Sequence, residues 1–144
     1  MRRRLLMVLW MLVVTSATKV QAAETATLDS SPPTVASVAP AAGMRNVPLN
    51  TTLRIAFDEA LDPATVNAST IQLRDTRGMA VGGVITYDAQ SSVVTFVPAT
   101  LLLPTRTYSA TVIGGVDGAT IRDAAGNALS ATYTSTFVTT VEPA

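Results

Sequence analysis

The stretch Thr52-Leu53-Arg54-Ile55-Ala56-Phe57 places Leu53, Ile55 and Phe57 on one side of an extended chain and Arg54 and Ala56 on the other. Successive side chains of a β-strand point to opposite faces, so this alternation predicts a strand with one buried face. The same period of two returns in both directions. Toward the amino terminus it appears in Thr34–Val38, closed by Pro40 and a turn at Ala41-Ala42-Gly43. Toward the carboxyl terminus, Thr70–Arg74 turns Ile71 and Leu73 inward. Gly83–Tyr87 and Ser92–Val97 read as a hairpin around Asp88-Ala89-Gln90-Ser91, with Val94 and Phe96 in the core. Thr107–Ile113 contributes Tyr108, Ala110 and Val112, and Ala131–Thr140 contributes Tyr133 and Phe137. Seven short strands bounded by Pro, Gly, Asn and Asp predict an all-β sandwich. No stretch sustains a helical period. Asp62-Pro63-Ala64-Thr65-Val66-Asn67 predicts a single helical turn, with Asp62 as its cap and Pro63 at the first helical position.

The amino-terminal end obeys a different pattern. Arg2, Arg3 and Arg4 precede an unbroken apolar run of ten residues, Leu5 to Val14, and Val20-Gln21-Ala22 follows as a small-x-small cleavage site. Residues 1–22 therefore read as a secretory signal peptide, cut between Ala22 and Ala23. A membrane anchor needs about 20 apolar residues, so no membrane span is expected after cleavage. The apolar run starts at once after the arginines, which favours the general export route over the twin-arginine route. Residues 23–32 lack any hydrophobic period and read as a flexible leader. Residues 33–140 form the domain, and residues 141–144 a tail.

Composition then excludes whole classes of chemistry. The 144 residues include no His and no Cys, so Ser-His-Asp triads, Cys-His pairs, imidazole or thiolate zinc sites, haem and iron–sulfur ligation all lack their side chains. Basic and acidic residues balance at 10 each, but removing residues 1–22 takes Arg2, Arg3, Arg4 and Lys19 and leaves six Arg against ten acids, a net of −4. An acidic chain without Lys is a poor nucleic-acid binder. Without disulfides, folding rests on burial alone.

Read in order, several motifs resemble the bacterial Ig-like domain of S-layer proteins (the SbsA type). Pro33-Thr34-Val35-Ala36-Ser37-Val38-Ala39-Pro40 is similar to its first strand. Asn46-Val47-Pro48-Leu49-Asn50-Thr51, followed by Ile55-Ala56-Phe57-Asp58-Glu59-Ala60-Leu61-Asp62-Pro63, resembles its second strand and acidic loop. Val94-Thr95-Phe96-Val97-Pro98, then Leu102, Pro104 and Tyr108, matches the strand and corner before the sixth strand. Val116-Asp117, Asp123-Ala124-Ala125-Gly126-Asn127-Ala128-Leu129 and Phe137-Val138-Thr139-Thr140 close the pattern. The resemblance implies a seven-stranded immunoglobulin-like β-sandwich with Greek-key connections. Two positions depart from it: Ser135 stands where the family often has Trp, and Thr105 where Gly is usual. Such domains usually occur in series, and this chain has no internal repeat.

Asp58, Glu59 and Asp62 follow the second strand, and Asp117, Asp123 and Asn127 lie between the sixth and seventh. In an Ig-type sandwich those connections emerge at one pole. Five carboxylates and an amide there offer the oxygen ligands that calcium takes, which makes calcium the candidate cofactor, second to turn chemistry. The competing reading gives these side chains to the turns, where Asp and Asn bond their own backbone. The spacing from Asp123 to Asn127 excludes an EF-hand loop. A glycosidase pair is set aside, because Glu24 and Glu142 fall in the expected flexible ends and leave Glu59 alone.

Leu102, Pro104 and Tyr108 resemble the tyrosine corner of Ig-like sandwiches, whose hydroxyl bonds backbone upstream. Leu101, Leu102 and Leu103 cannot all face inward, so one is expected at the surface. Asn50-Thr51-Thr52 and Asn67-Ala68-Ser69 fit the glycosylation sequon but read as turn chemistry. Of the six aromatics beyond residue 22, five fall on core positions and Tyr87 is undecided, which argues against a stacking platform for sugars. The sequence thus points to an exported, non-enzymatic module in the periplasm, at the cell surface or outside the cell. Its role would be a spacer or a protein-interaction or adhesion domain, with an unknown protein or cell-surface component as partner. The alternative is a small ligand- or glycan-binding module of an extracellular assembly. An uncovered apolar strip or a long unpaired edge would favour a protein partner, and an exposed aromatic pair would favour glycans.

Overall fold

Alternation fixes the strands first. In the computed structural model, which describes residues 28–141, Leu53–Phe57 forms β2 with Leu53, Ile55 and Phe57 buried and Arg54 exposed. The export segment expected at residues 1–22 lies outside the described residues. The other strands are β1 (Val35–Ala39), β3 (Ile71–Asp75), β4 (Gly83–Asp88), β5 (Val93–Pro98), β6 (Thr107–Val112) and β7 (Tyr133–Val138). All seven strands lie within a residue or two of where the alternation put them.

The departures at the strand ends have local causes. The last strand begins at Tyr133 rather than Ala131. The Thr132 hydroxyl bonds both the N–H and the C=O of Gly114, at 3.2 and 3.3 Å, in place of backbone pairing. It stops at Val138 because Thr139 turns to a parallel bridge with Val47. The helical turn is a 3-10 turn over Pro63–Thr65, and Asp62 accepts the Ala64 N–H at 3.0 Å. It ends early because Asn67 starts a turn of its own, accepting the Ser69 N–H at 2.9 Å.

Pairing joins the strands into two antiparallel sheets, β1-β2-β5-β4 and β3-β6-β7. This four-on-three order, with the chain changing sheets after β2, β3 and β5, is the Greek-key pattern of an immunoglobulin constant-type sandwich. Register sets the core. Leu53 lies opposite Phe96 and Ile55 opposite Val94 in one sheet. In the other, Leu73 meets Ala110, which in turn meets Ser135, and Tyr108 meets Phe137. Tyr108 and Phe137 stack with ring centroids 5.8 Å apart. Loop residues Val47, Leu61, Leu102, Ile121 and Leu129 complete the buried set. At Gly83 a side chain has no room, because a Cβ would fall 2.7 Å from the Phe96 ring.

One feature lies outside the alternation. After β1 the chain swings across to the second sheet, and residues 43–47 run beside β7. Val138 N–H bonds Met44 O at 2.8 Å, and Val47 N–H bonds Val138 O at 3.1 Å. This covers the β7 edge, which would otherwise present unpaired backbone groups.

The connections gather at two ends. Residues 58–70, 89–92 and 113–132 close one end, and residues 40–52, 76–82 and 99–106 close the other.

Candidate functional site

The first of these ends carries the acidic residues. Asp58 leaves β2 facing Thr34, at the start of the neighbouring β1, and accepts both its N–H and its hydroxyl at 2.7 Å. Those two bonds hold the Asp58 carboxyl below the usual carboxylate range. Asp62 is taken by its cap. Asp117 is exposed in the β6–β7 connection.

Asp123 is buried, and Asn127 occupies both its oxygens, with the backbone N–H at 2.8 Å and the side-chain amide at 2.7 Å. Burial alone would raise the Asp123 carboxyl. The bonds from the Asn127 side chain and backbone, and from the Gly126 and Ala125 backbone, outweigh it and hold the group low. A backbone pairing between Leu61 and Asp123 ties this loop to the β2–β3 connection. The Asn127 amide also bonds the carbonyl of Asp29 at 3.0 Å. Asp29 is thereby anchored beside residues almost a hundred positions away.

The result is a group of three carboxylates, Asp29, Glu59 and Asp123, whose oxygens lie within 4.8 Å of one another. Glu59 is raised above its ordinary value, first by burial and then by the negative charges of Asp29, Asp123 and Asp58. Of the six residues expected to hold calcium, the fold brings Glu59 and Asp123 together, with Asn127 bound to Asp123. It gives Asp58 to Thr34 and Asp62 to the turn, and leaves Asp117 outside the group. Asp29 enters from the segment read as a leader. No periodicity marked it, because its place depends on a contact with the far end of the chain.

The opposite end is organised by Tyr108. Its hydroxyl accepts the Leu103 N–H at 2.9 Å, and the Thr139 hydroxyl bonds the Leu103 carbonyl at 2.7 Å. Leu102 is thus turned into the core while Leu101 and Leu103 are both exposed, where one exposed leucine was expected. The backbone alternates through the three residues, so one inward side chain requires two outward ones. Leu101, Leu103 and Met79 border an open cleft of about 320 Å³ that reaches down to Val81 and Tyr108. Tyr87 is half-buried, and its hydroxyl accepts the Leu61 N–H at 2.7 Å, which makes it a packing residue. Tyr133 is half-buried, and Phe57, Phe96, Tyr108 and Phe137 are buried.

The sequence matches the bacterial Ig-like domain family over residues 29–139. The chain belongs to that family. The family's boundary takes in Asp29, the residue the β6–β7 connection holds.

Among solved structures, this Ig-like domain is similar to the surface-layer protein SbsC, with a TM-score of 0.54 and 19% identity over 80% of this chain. It spans 14% of that S-layer chain. It is also similar to PcoC, a methionine-rich copper resistance protein from Escherichia coli, with a TM-score of 0.58 and 18% identity over 76% of this chain and 99% of that one. CopC from Methylosinus trichosporium OB3b matches with a TM-score of 0.57 and 13% identity, over 78% of this chain and 97% of that one. At these identities the likeness is one of fold. Among curated proteins none matches the sequence.

Proposed function

We propose that this Ig-like domain is an exported, non-enzymatic module that serves as a structural spacer or protein-interaction domain at the cell envelope or outside the cell. The observation that carries the reading is where the exposed apolar side chains lie. Met79, Leu101 and Leu103 stand out around one loop end, where the Leu103 backbone is held by bonds to Tyr108 and Thr139. An apolar surface fixed in place by buried polar groups fits a protein contact. The aromatic side chains support the same choice over a glycan platform, since all six are buried or half-buried in packing positions. Family membership and the S-layer and copper-resistance folds fit an envelope or extracellular location.

The test is cell fractionation with sequencing of the processed amino terminus, combined with a photo-crosslinker at Leu101 in the living cell. A processed, exported protein that cross-links to a discrete envelope protein is expected. An unprocessed chain retained in the cytoplasm would refute the reading.

A second reading concerns the acidic group. Asp29, Glu59 and Asp123 converge within 4.8 Å, and the mutual repulsion that raises Glu59 is what a divalent cation would relieve. We therefore narrow the calcium expectation to these three carboxylates with Asn127. Melting in chelator and in millimolar calcium tests it. Saturation at a hundred times Kd raises stability by about 2.7 kcal/mol, and identical melting curves would remove the ion.

A further inference from the structure

Charge is sorted toward the two ends of the sandwich, and both ends also expose apolar side chains. In the β1–β2, β3–β4 and β5–β6 connections, or within two residues of them along a strand, lie Arg45, Arg54, Arg74, Arg77 and Arg106, opposed among the described residues by Asp75 alone, a net of +4. At the other end Asp29, Asp58, Glu59, Asp62, Asp88, Asp117 and Asp123 stand against Arg122, a net of −6. Hydrogen bonds inside the molecule leave these charges in place. Arg74 donates to Gln72 Oε1 and to the Gly78 carbonyl, and Arg122 to the Gly126 carbonyl, all neutral acceptors.

Exposed apolar side chains stand at both ends. Met79 and Leu101, each 66% exposed, and Leu103, 52% exposed, stand at the basic end, while Leu28 at 89% and Val116 at 83% stand at the acidic end. Between the ends, the outer faces carry hydroxyls, Thr86 beside Thr95 in one sheet, Ser109 beside Thr136 and Thr111 beside Thr134 in the other, with Arg54 beside Thr95, Arg74 beside Ser109 and the exposed pair Val84 and Val97. Strands of five and six residues span roughly 17–20 Å at about 3.3 Å per residue. That is about twice the Debye length of ≈8 Å at physiological salt, so each end presents its own sign to whatever approaches it.

We propose that the basic end of one copy docks on the acidic end of the next, so that the module's partner is a second copy of itself in a head-to-tail array. The proposal deepens the reading of the domain as an exported interaction module and rests on it. Opposite charges supply steering and register, and the apolar side chains at both ends supply area to bury. The outer faces carry Arg54 and Arg74 but no acidic side chain between the ends, so side-by-side pairing of copies lacks the opposite charges that end-to-end docking offers. Because the two contacting surfaces differ, the contact is heterologous. It leaves a free end at each addition and extends instead of closing into a dimer.

Sedimentation velocity of the protein purified from expressing cells tests this at about 20 mM and about 500 mM salt, where screening differs several-fold. At low salt the mean mass is expected to rise steadily with concentration, and at high salt to fall to the monomer. Two variants then separate the ends. Arg45→Glu/Arg54→Glu/Arg77→Glu turns the basic end from +4 to −2, and Glu59→Lys/Asp117→Lys reduces the acidic end from −6 to −2. All five positions are exposed or half-buried, and a wild-type circular dichroism spectrum with a cooperative melt confirms that each variant folds. The basic-end variant alone should be monomeric, the acidic-end variant alone should associate more weakly than the wild type, and in an equimolar mixture the two intact ends should pair the variants with each other. A monomer at every concentration in low salt, a wild type that stops at a dimer, or a mixture that stays monomeric would each overturn the array. A monomer that still cross-links to an envelope protein through Leu101 would overturn the array and leave the proposed function standing.

Discussion

Replacing Tyr108 by Phe removes a single oxygen from the centre of one loop end. The ring is 3% exposed and stacks on Phe137, so the substitution leaves the packing intact and isolates the hydroxyl. That oxygen accepts the Leu103 N–H at 2.9 Å, while Leu103 is gripped from its carbonyl by Thr139 at 2.7 Å. A neutral hydrogen bond contributes about 0.5–1.5 kcal/mol net, and more when the abandoned partner stays dry. The Leu103 side chain is half exposed, so water reaches its N–H and the cost should be about 1 kcal/mol. Unfolding entropy near 2.1 cal/mol/K per residue over a domain of about 110 residues gives about 0.23 kcal/mol/K, which makes the shift in Tm about 4 °C. Thermal and urea melts followed by circular dichroism read it directly. In a double-mutant cycle with Thr139→Val the two changes should couple by at least about 0.5 kcal/mol, because both act on one residue. An unchanged Tm for Tyr108→Phe, or strict additivity with Thr139→Val, would show that these hydroxyls do not hold the β5–β6 connection.

Three further outcomes follow from single sites. Glu59 is raised in the folded protein, so its contribution is fully present below the unfolded value of about 4.3 and declines as pH rises through the folded value. Glu59→Gln should therefore melt higher than wild type at pH 7 and equally at pH 3.5, as a pH series of melts will show. Ser135 Oγ is buried without a hydrogen-bond partner, so Ser135→Ala removes a dry hydroxyl and should stabilise by roughly 0.5–1 kcal/mol in urea denaturation. Gly83→Ala would press a methyl against the Phe96 ring 2.7 Å away and against the Val97 carbonyl. It should cost about 1–3 kcal/mol, and a neutral result would mean that β4 and β5 part freely at that end.

The strands were legible because each is half-buried, so one face of every strand had to be apolar and the other not. Leu53, Ile55 and Phe57, or Tyr108, Ala110 and Val112, declare their direction whatever lies across from them. The candidate site was legible only in part. Asp58, Asp62, Asp123 and Asn127 were visible as loop acids and amide, but whether such a side chain serves a turn or faces a ligand depends on which donor sits beside it. Thr34 claims Asp58 and Asn127 claims Asp123. Asp29 carried no local signal at all. The outward turn of both Leu101 and Leu103 was equally hidden, since the run of three leucines is uniform and the choice of Leu102 for the core depends on where Tyr108 places the Leu103 N–H.

By itself, then, the sequence determined the layers. A period of two, punctuated by turn residues and free of His and Cys, commits the chain to a disulfide-free sandwich and removes most reactive chemistry. Tertiary structure alone decided the ends. The pairing order carries five arginines to one end and seven acids to the other, and delivers Asp29 to Glu59 and Asp123. A half-buried strand writes its apolar period into consecutive residues, where the sequence shows it, whereas charge acts through space, and only the folded arrangement says which charges are close.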